Sequence, residues 1–322
     1  GPVAGVTGAC LVGGPTRPVV VSGREPGGLL VERERDLAVV GDAVGEAAEG
    51  RSALVVIEGP AGIGKTRLLA EGRLLARDAG VRALVARASE LEGELAFGVV
   101  RQLLGEALGA EGAEPAGNAA AAAREVLAAP PRTASEIGFS DVSFAMLHSL
   151  YSLTATLAAD SPLVVAVDDL HWCDEPSLRF LNYLIRRLEG LAVAVLCTVR
   201  PRERRARAPL VTEIVADPLA RLVRPGPLSD DATLRLVSEG LRETADEAFS
   251  TACRMATGGN PLLLRELIST MQSEGVKPDS DHVPAVTDLG PRAVSRAVLV
   301  RLGRLADDAV RLARGASVVQ AG

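Results

Sequence analysis

The stretch Gly59-Pro60-Ala61-Gly62-Ile63-Gly64-Lys65-Thr66 matches the pattern G-x-x-x-x-G-K-[ST] at every defined position. An apolar, β-branched run from Ala53 to Glu58 precedes it, and helical spacing follows from Thr66 to Ala79. A strand, a glycine-rich turn and a helix in this order are typical of a loop that wraps phosphate groups, because glycine lets backbone N–H groups turn inward. The stretch therefore predicts a phosphate-binding loop within an α/β protein.

Lys65 and Thr66 give this loop its expected chemistry. A helix that begins near Lys65 directs the positive end of its dipole at the phosphates, and the Lys65 ammonium adds a mobile positive charge. The Thr66 hydroxyl is a suitable Mg²⁺ ligand. We therefore expect ATP, or a close relative such as ADP, to bind here with Mg²⁺. The predicted nucleotide-contacting residues of this stretch are Gly59, Pro60, Ala61, Gly62, Ile63, Gly64, Lys65, Thr66 and Arg67.

A second apolar strand, Leu163 to Val167, is followed by two carboxylates, Asp168 and Asp169. In phosphate-loop ATPases an acid at this position holds Mg²⁺, usually through a water molecule, and Asp168 suits that role. Asp169 is the candidate for polarising the attacking water. The alternative is that Asp169 only caps the following turn, and the sequence leaves that choice open.

Thr198 and Arg200 stand at the end of a further predicted strand, Ala192 to Val199. At a strand end beside the phosphates, the Arg200 guanidinium could reach the γ-phosphate, and Thr198 could contact the attacking water. An exposed arginine in an ordinary ion pair is the alternative. The candidate catalytic residues are thus Lys65, Asp169 and Arg200.

Strands and helices alternate up to about residue 228, and only helices are predicted after that point. Further strands are predicted at Val81 to Arg87 and near Arg221 to Arg224. This alternation predicts an α/β fold with a mainly parallel sheet that has helices on both faces. The other predicted helices are Glu34–Ala48, Val142–Ala158, Leu178–Leu188, Ala232–Leu241, Ala245–Thr257, Pro261–Glu274 and Pro291–Ala313.

These elements predict three parts of the chain. Residues 1–28, rich in Gly, Pro and Val, form a flexible leader; residues 29–228 form a nucleotide-binding α/β domain; and residues 229–322 form a helical lid. A flexible surface excursion is expected from Glu111 to Glu136. Because the last predicted helix runs almost to residue 322, we expect the chain to be cut within a larger protein.

The composition limits the classes of function. A net charge of −6 argues against a domain that binds nucleic acid by itself. Four scattered cysteines without a C-x-x-C pair, and three dispersed histidines, favour neither a disulfide framework nor a metal cluster. The lack of a long apolar run and of a signal-peptide pattern predicts a cytoplasmic protein without membrane association.

Four segments besides the phosphate loop carry a family pattern. They are Leu30-Val31-Glu32-Arg33-Glu34-Arg35-Asp36-Leu37, Asp168-Asp169-Leu170-His171-Trp172-Cys173-Asp174-Glu175-Pro176-Ser177-Leu178, Thr198-Val199-Arg200 and Gly258-Gly259-Asn260-Pro261-Leu262-Leu263-Leu264. In this order they resemble the large ATP-binding regulators of the LuxR type, which belong to the STAND class of signalling ATPases. The resemblance runs from about residue 28 to the end of the chain.

This resemblance implies a phosphate-loop NTPase fold of the AAA and STAND kind, followed by a helical lid and the start of a winged-helix-like region. In the family, ADP between the α/β domain and the lid holds a closed resting state, and exchange for ATP opens it and permits oligomerisation. Val31 and Arg33 would lie near the adenine, and Pro261 would pack against it. Val31 and Pro261 could instead be ordinary packing residues.

The family also implies a setting and a partner. Its members act in the bacterial cytoplasm, and they bind DNA only through a C-terminal helix-turn-helix domain, which is absent from these 322 residues.

Two other functions stay open at this point. A steadily hydrolysing AAA+-like motor would need an arginine finger from a neighbouring subunit, and the cluster from Arg202 to Arg207 could supply one. A protein-interaction platform could instead carry a vestigial nucleotide site. The lid segment favours the third interpretation, a slow ATP hydrolase that acts as a switch.

Overall fold

A parallel sheet of five strands forms the centre of the protein. The computed structural model describes residues 30–90, 93, 95–109, 121, 123–125, 127, 144–201 and 208–290. The strand order across the sheet is β2-β3-β4-β1-β5, and every adjacent pair is parallel. The strands are β1 (Ala53–Glu58), β2 (Arg82–Arg87), β3 (Leu163–Asp168), β4 (Val193–Val199) and β5 (Ala220–Val223).

Helices cover the sheet and then continue beyond it. Those that alternate with the strands are α1 (Glu34–Ala48), α2 (Lys65–Asp78), α3 (Gly98–Gly109), α4 (Phe144–Asp160), α5 (Glu175–Ile185) and α6 (Ala208–Val215). Those that follow β5 are α7 (Asp230–Leu241), α8 (Glu247–Thr257) and α9 (Pro261–Glu274), with residues 283–290 also helical. None of the described helices is long and apolar enough to cross a membrane.

Alternation along β1 explains why helices cover both faces of the sheet. Leu54 and Val56 are fully buried in the core beneath α3 to α6, whereas Val55 and Ile57 are fully buried in the core beneath α1 and α2. A strand with apolar side chains on both faces needs helices on both faces of the sheet to shield them from water, and the helical crossovers between parallel strands provide these. The predicted α/β class with helices on both faces is therefore confirmed.

The strand order decides which residues meet at the carboxyl edge of the sheet. Strand β4 lies between β1 and β3, and its Thr198 pairs in register with Ile57 of β1. The loop after β1 and the acids at the end of β3 therefore flank the end of β4. Ligand sites in open α/β sheets form at this edge of the strands.

The helices after β5 have a core of their own. Phe249 of α8 and Leu264, Leu267 and Met271 of α9 are fully buried there, and Val31 from the segment before α1 joins them. In the described part of the chain, no strand follows Val223. The division near residue 228 into two domains stays a prediction that this arrangement supports.

Most predicted elements are confirmed, some without any shift. The helices Glu34–Ala48 and Pro261–Glu274 and the strand Ala53–Glu58 have the predicted bounds. The helix predicted at Leu178 begins earlier, at Glu175, because the Asp174 side chain accepts a hydrogen bond from the Ser177 N–H and so caps the helix.

Some sequence predictions were incomplete and others lie outside the described residues. Helices α3 and α6 were not predicted. The leader at 1–28, the Arg202–Arg207 cluster and the helix Pro291–Ala313 lie outside the described residues, as does most of the excursion Glu111–Glu136, of which positions 121, 123–125 and 127 are helical.

Leu54→Ala should destabilise the fold strongly. The side chain is fully buried in the second-from-edge strand β1, so its removal leaves a cavity that costs about 2–5 kcal/mol in the free energy of unfolding. The urea midpoint measures the effect. The matched control is Leu222→Ala on edge strand β5, where Leu222 is 40% exposed, and its midpoint should change far less. Equal losses from the two variants would contradict the assignment of the core.

Candidate nucleotide-binding site

The phosphate loop connects β1 to α2, as the sequence predicts. Lys65 is the first residue of α2, and Gly64 before it has a left-handed backbone with φ of 109°. The Lys65 side chain is buried, and its Nζ donates hydrogen bonds to the carbonyl oxygens of Gly59 at 2.8 Å and Pro60 at 2.9 Å. The loop thus holds a cation against its own backbone, at the N-terminus of a helix, where anions are stabilised.

The Asp168 carboxylate joins the loop to two strands. The Thr66 hydroxyl donates to it at 3.0 Å from Oδ2, and the Thr198 hydroxyl donates to Oδ1 at 2.6 Å. Asp168 is buried, so these bonds offset the cost of removing the carboxylate from water. The predicted Mg²⁺ ligands Thr66 and Asp168 are therefore in contact with Thr198, which was predicted to contact the attacking water.

A hydroxyl and a carboxylate side by side are hard oxygen donors of the kind that Mg²⁺ prefers. Among the residues described, no group of three or more His, Cys, Asp or Glu could hold a metal ion. Thr66 and Asp168 therefore fit an ion that takes most of its ligands from phosphates and water, as Mg²⁺ does in nucleotide sites.

Asp169 adopts a left-handed conformation, with φ of 55° and ψ of 47°, which Asp tolerates better than most residues. Its N–H donates to the Thr198 Oγ1 at 2.8 Å. An Arg200 guanidinium nitrogen lies 3.7 Å from its Oδ1, and the His171 Nε2 lies 3.8 Å from the same oxygen. Asp169, the candidate base, and Arg200, the arginine predicted to reach the γ-phosphate, are thus neighbours.

Burial and the surrounding charges both affect the pKa of the Asp169 carboxyl. Burial raises the pKa of the Asp169 carboxyl above its usual value, and the neighbouring Asp168 charge raises it further. The positive charges of Arg200, Lys65 and Arg87 act in the opposite direction but do not cancel this effect. The carboxyl therefore holds its proton more readily than an exposed aspartate, which suits a group that accepts a proton from water.

Arg87 is a site residue that sequence reasoning missed. It ends β2 in register with Asp168, and its guanidinium lies 3.7 Å from an Asp168 oxygen and 4.0 Å from an Asp169 oxygen. The available signal was its place at the end of a predicted strand, the same place that Asp168 holds in β3.

Asp174 also has a role that the sequence did not assign. Its buried carboxylate accepts hydrogen bonds from the N–H groups of Phe97, Val99 and Ser177, at 2.8, 3.3 and 2.9 Å. Burial raises its pKa, and these hydrogen bonds oppose the rise. The carboxylate thereby ties the start of α3 to the start of α5.

The helical segment contacts the phosphate loop directly. The Asn260 side-chain amide donates to the Ala61 carbonyl oxygen at 3.0 Å, and the Leu262 N–H lies 3.3 Å from the Gly62 carbonyl oxygen. Gly62 has φ of +83°, and a Cβ on it would lie 2.7 Å from the Asn260 Oδ1. Only glycine fits both its backbone and its neighbour. No contact of Asn260 with the phosphate loop was predicted from the sequence.

The remaining predicted residues surround this contact. The buried Arg33 guanidinium donates to the Gly226 carbonyl oxygen at 2.6 Å and to that of Ile63 at 3.4 Å, so it joins the segment before α7 to the loop. Val31 packs in the helical core, and Pro261 begins α9 next to Asn260. Their contacts with adenine stay predictions.

Arg67 ends the stretch around the phosphate loop that was predicted to contact nucleotide. It forms an ion pair with Glu71 one turn along α2, with 2.7 Å between the charged atoms. Its contact with a phosphate also stays a prediction.

Asp169→Asn should raise the thermal stability of the protein at neutral pH. Because the pKa of Asp169 is raised in the fold, the folded state binds more protons than the unfolded chain between the usual and the raised value, and stability falls as pH rises through that window. The amide carries no charge and accepts the same left-handed backbone. The gain should shrink as pH falls through the raised pKa. Thermal midpoints measured across this range test it.

The control for this variant is Asp42→Asn at an exposed position in the middle of α1, away from the helix ends, which should leave the midpoint unchanged. A lower midpoint for Asp169→Asn at neutral pH would mean that the carboxylate stabilises the fold.

The fold is shared with solved structures of ORC proteins. The Aeropyrum pernix ORC2 protein, solved as ADPNP–ADP complexes, is 13% identical, with a TM-score of 0.52 over 81% of this chain and 68% of that one. Drosophila ORC bound to DNA is 12% identical, with a TM-score of 0.50 over 83% of this chain and 68% of that one. At such identities the likeness establishes the P-loop NTPase fold alone.

A STAND protein with a tetratricopeptide repeat sensor from Pyrococcus horikoshii is 17% identical, with a TM-score of 0.42 over 77% of this chain. This chain spans only 32% of that protein. No curated protein matches the sequence. The family profile described as the AAA ATPase domain matches residues 29–197, more than half of the chain, and the protein therefore belongs to the AAA ATPase domain family.

Proposed function

We propose that this chain is the ATP/ADP-binding switch of a LuxR-type transcriptional regulator. In this proposal residues 29–228 bind the nucleotide with Mg²⁺, and residues 229–322 act as a lid. Exchange of ADP for ATP opens the lid and permits self-association, and slow hydrolysis resets it. DNA binding belongs to a further domain outside these 322 residues.

The contact between Asn260 and the phosphate loop is the observation that carries the proposal. The lid bonds to the carbonyl oxygens of Ala61 and Gly62, which belong to the loop that the family uses for phosphates. Any movement of the loop backbone on phosphate binding must therefore strain or relieve these bonds. A nucleotide that prefers one loop conformation then shifts the population of closed and open lids.

The site residues divide into binding and reacting groups. We assign Lys65 to the β- and γ-phosphates and place Thr66 and Asp168 at the magnesium ion, which would neutralise phosphate charge when bound. Thr198 orients the Asp168 carboxylate, to which it donates, and holds the backbone of Asp169, from whose N–H it accepts. Asp169 is positioned to take the proton of the attacking water.

Arg200 gives the site a means of sensing the γ-phosphate. Its guanidinium lies 3.7 Å from the Asp169 Oδ1, so a γ-phosphate within reach would compete for the same cation. Transfer of Arg200 to the phosphate would leave Asp169 available to accept a proton. This arrangement supports a site whose state depends on which nucleotide it holds.

Lys65→Ala should weaken nucleotide binding by about thirtyfold or more. The variant removes the cation that the loop holds against the Gly59 and Pro60 carbonyl oxygens, and a loss of about 2 kcal/mol or more in binding free energy is expected for a charge-assisted contact with phosphate. Isothermal titration with ADP and ATP measures it. Lys277→Ala, at an exposed lysine of the helical segment, is the control and should bind normally. Unchanged affinity in Lys65→Ala would refute the proposed site.

Asn260→Asp should loosen the lid without uncapping α9. The Asn260 side-chain oxygen accepts from the Leu262 and Leu263 N–H groups, and Asp serves this capping role equally well. A carboxylate cannot donate to the Ala61 carbonyl oxygen and is repelled by it. Hydrogen exchange of the amides of residues 258–264, in the ADP-bound protein, should therefore be faster than in the wild type.

The comparison variant is Asn260→Ala, which loses both the cap and the bond to Ala61 and should exchange faster still. Wild-type exchange rates in Asn260→Asp would show that the bond does not hold the lid.

A further inference from the structure

Two arginines flank the Asp169 carboxylate, one from each of the two strands, β2 and β4, that lie on either side of β3. Arg200 follows β4 and lies 3.7 Å from Oδ1, and Arg87 ends β2 and lies 4.0 Å from Oδ2. Arg87 also lies 3.7 Å from the Asp168 Oδ2, the oxygen that accepts from the Thr66 hydroxyl at 3.0 Å. Arg87 is therefore the cation that borders the Thr66–Asp168 pair directly.

The backbone of Arg87 is clamped by Gln102 of α3. Among the described residues, strand β2 is at the edge of the sheet and pairs with β3 alone, and no described strand lies on its outer side. The Arg87 N–H donates to the Gln102 Oε1 at 2.8 Å, and the Gln102 Nε2 lies 3.2 Å from the Arg87 carbonyl oxygen. One amide side chain thus takes the place of a neighbouring strand at this residue.

The start of α3 is held in turn by α5. Asp174 accepts from the N–H groups of Phe97 and Val99, and the Ser177 hydroxyl oxygen accepts from the Val100 N–H at 3.2 Å. These bonds are buried, so they fix the helix that carries Gln102. The Arg87 side chain, by contrast, is 68% exposed. A fixed backbone therefore carries a guanidinium that is able to move.

We propose that Arg87 is a positioning residue that competes with Mg²⁺ for the Asp168–Asp169 pair and so sets the magnesium requirement of nucleotide binding. The inference rests on the proposed function, since it needs a site that takes Mg²⁺ with nucleotide. Two cations that are stabilised by the same carboxylates weaken each other's binding by Coulomb repulsion. Removal of the Arg87 charge leaves the pair more attractive to Mg²⁺.

Exposure limits the size of this effect. Because water screens the Arg87 guanidinium, the repulsion is closer to that of a surface charge than to that of a buried pair, and we expect the half-saturating Mg²⁺ concentration to change by about three- to tenfold. The change should fall at higher ionic strength.

The experiment measures ADP binding to the full 322-residue chain by isothermal titration at a series of Mg²⁺ concentrations. Arg87→Gln should lower the half-saturating Mg²⁺ concentration by about three- to tenfold, and Arg87→Lys, which keeps the charge, should restore most of the wild-type value. Arg82→Gln is the matched control, because it removes an exposed arginine from the opposite end of the same strand. It should leave the requirement unchanged.

Gln102→Ala provides a second variant, which keeps the Arg87 charge and releases its backbone. A smaller decrease in the half-saturating Mg²⁺ concentration is expected.

The proposal is overturned if Arg87→Gln needs as much Mg²⁺ as the wild type, or if Arg82→Gln lowers the half-saturating Mg²⁺ concentration equally. Weaker ATP but unchanged ADP binding by Arg87→Gln in EDTA would also overturn it, since Arg87 would then contact the γ-phosphate. A wild-type chain that binds no nucleotide would refute the proposed function instead.

Discussion

The Asp168 carboxylate and the two hydroxyls that donate to it organise the site. A buried carboxylate is costly unless its oxygens accept hydrogen bonds, and Thr66 of α2 and Thr198 of β4 meet this need from opposite sides. Both donors can reach it only if β4 lies between the strand before the loop and the strand that carries the acid. The observed strand order provides this, and it brings the three side chains together at the carboxyl edge of the sheet.

Three positive side chains lie near these acids, but they do not bring the pKa of Asp169 down to its usual value. Lys65 lies in the loop, Arg200 lies on one side of Asp169 and Arg87 lies on the other. Burial and the adjacent Asp168 still hold the pKa of Asp169 above its usual value. The site therefore combines a carboxyl that readily accepts a proton with three cations, of which Arg200 and Arg87 lie 3.7 and 4.0 Å from the Asp169 carboxylate oxygens.

The helical segment after β5 is joined to the phosphate loop through backbone atoms of the loop. Asn260 caps α9 with its oxygen and holds the Ala61 carbonyl with its nitrogen, so one side chain joins helix geometry to loop geometry. Gly62 leaves no space for a side chain between them. Arg33 adds a second connection, between the Ile63 and Gly226 carbonyl oxygens. The phosphate loop and the helical segment are thus joined by direct hydrogen bonds.

The sequence by itself determined the strand–loop–helix unit around Lys65, the acidic strand end at Asp168 and most element bounds, because periodicity and glycine chemistry act over a few residues. It also held a signal for α3, whose buried apolar residues follow helical spacing, although this helix was not predicted. Only the tertiary structure placed Arg87 at the carboxylates and Asn260 on the loop. Those contacts join residues far apart in the chain, and no local pattern encodes which partner a polar side chain meets.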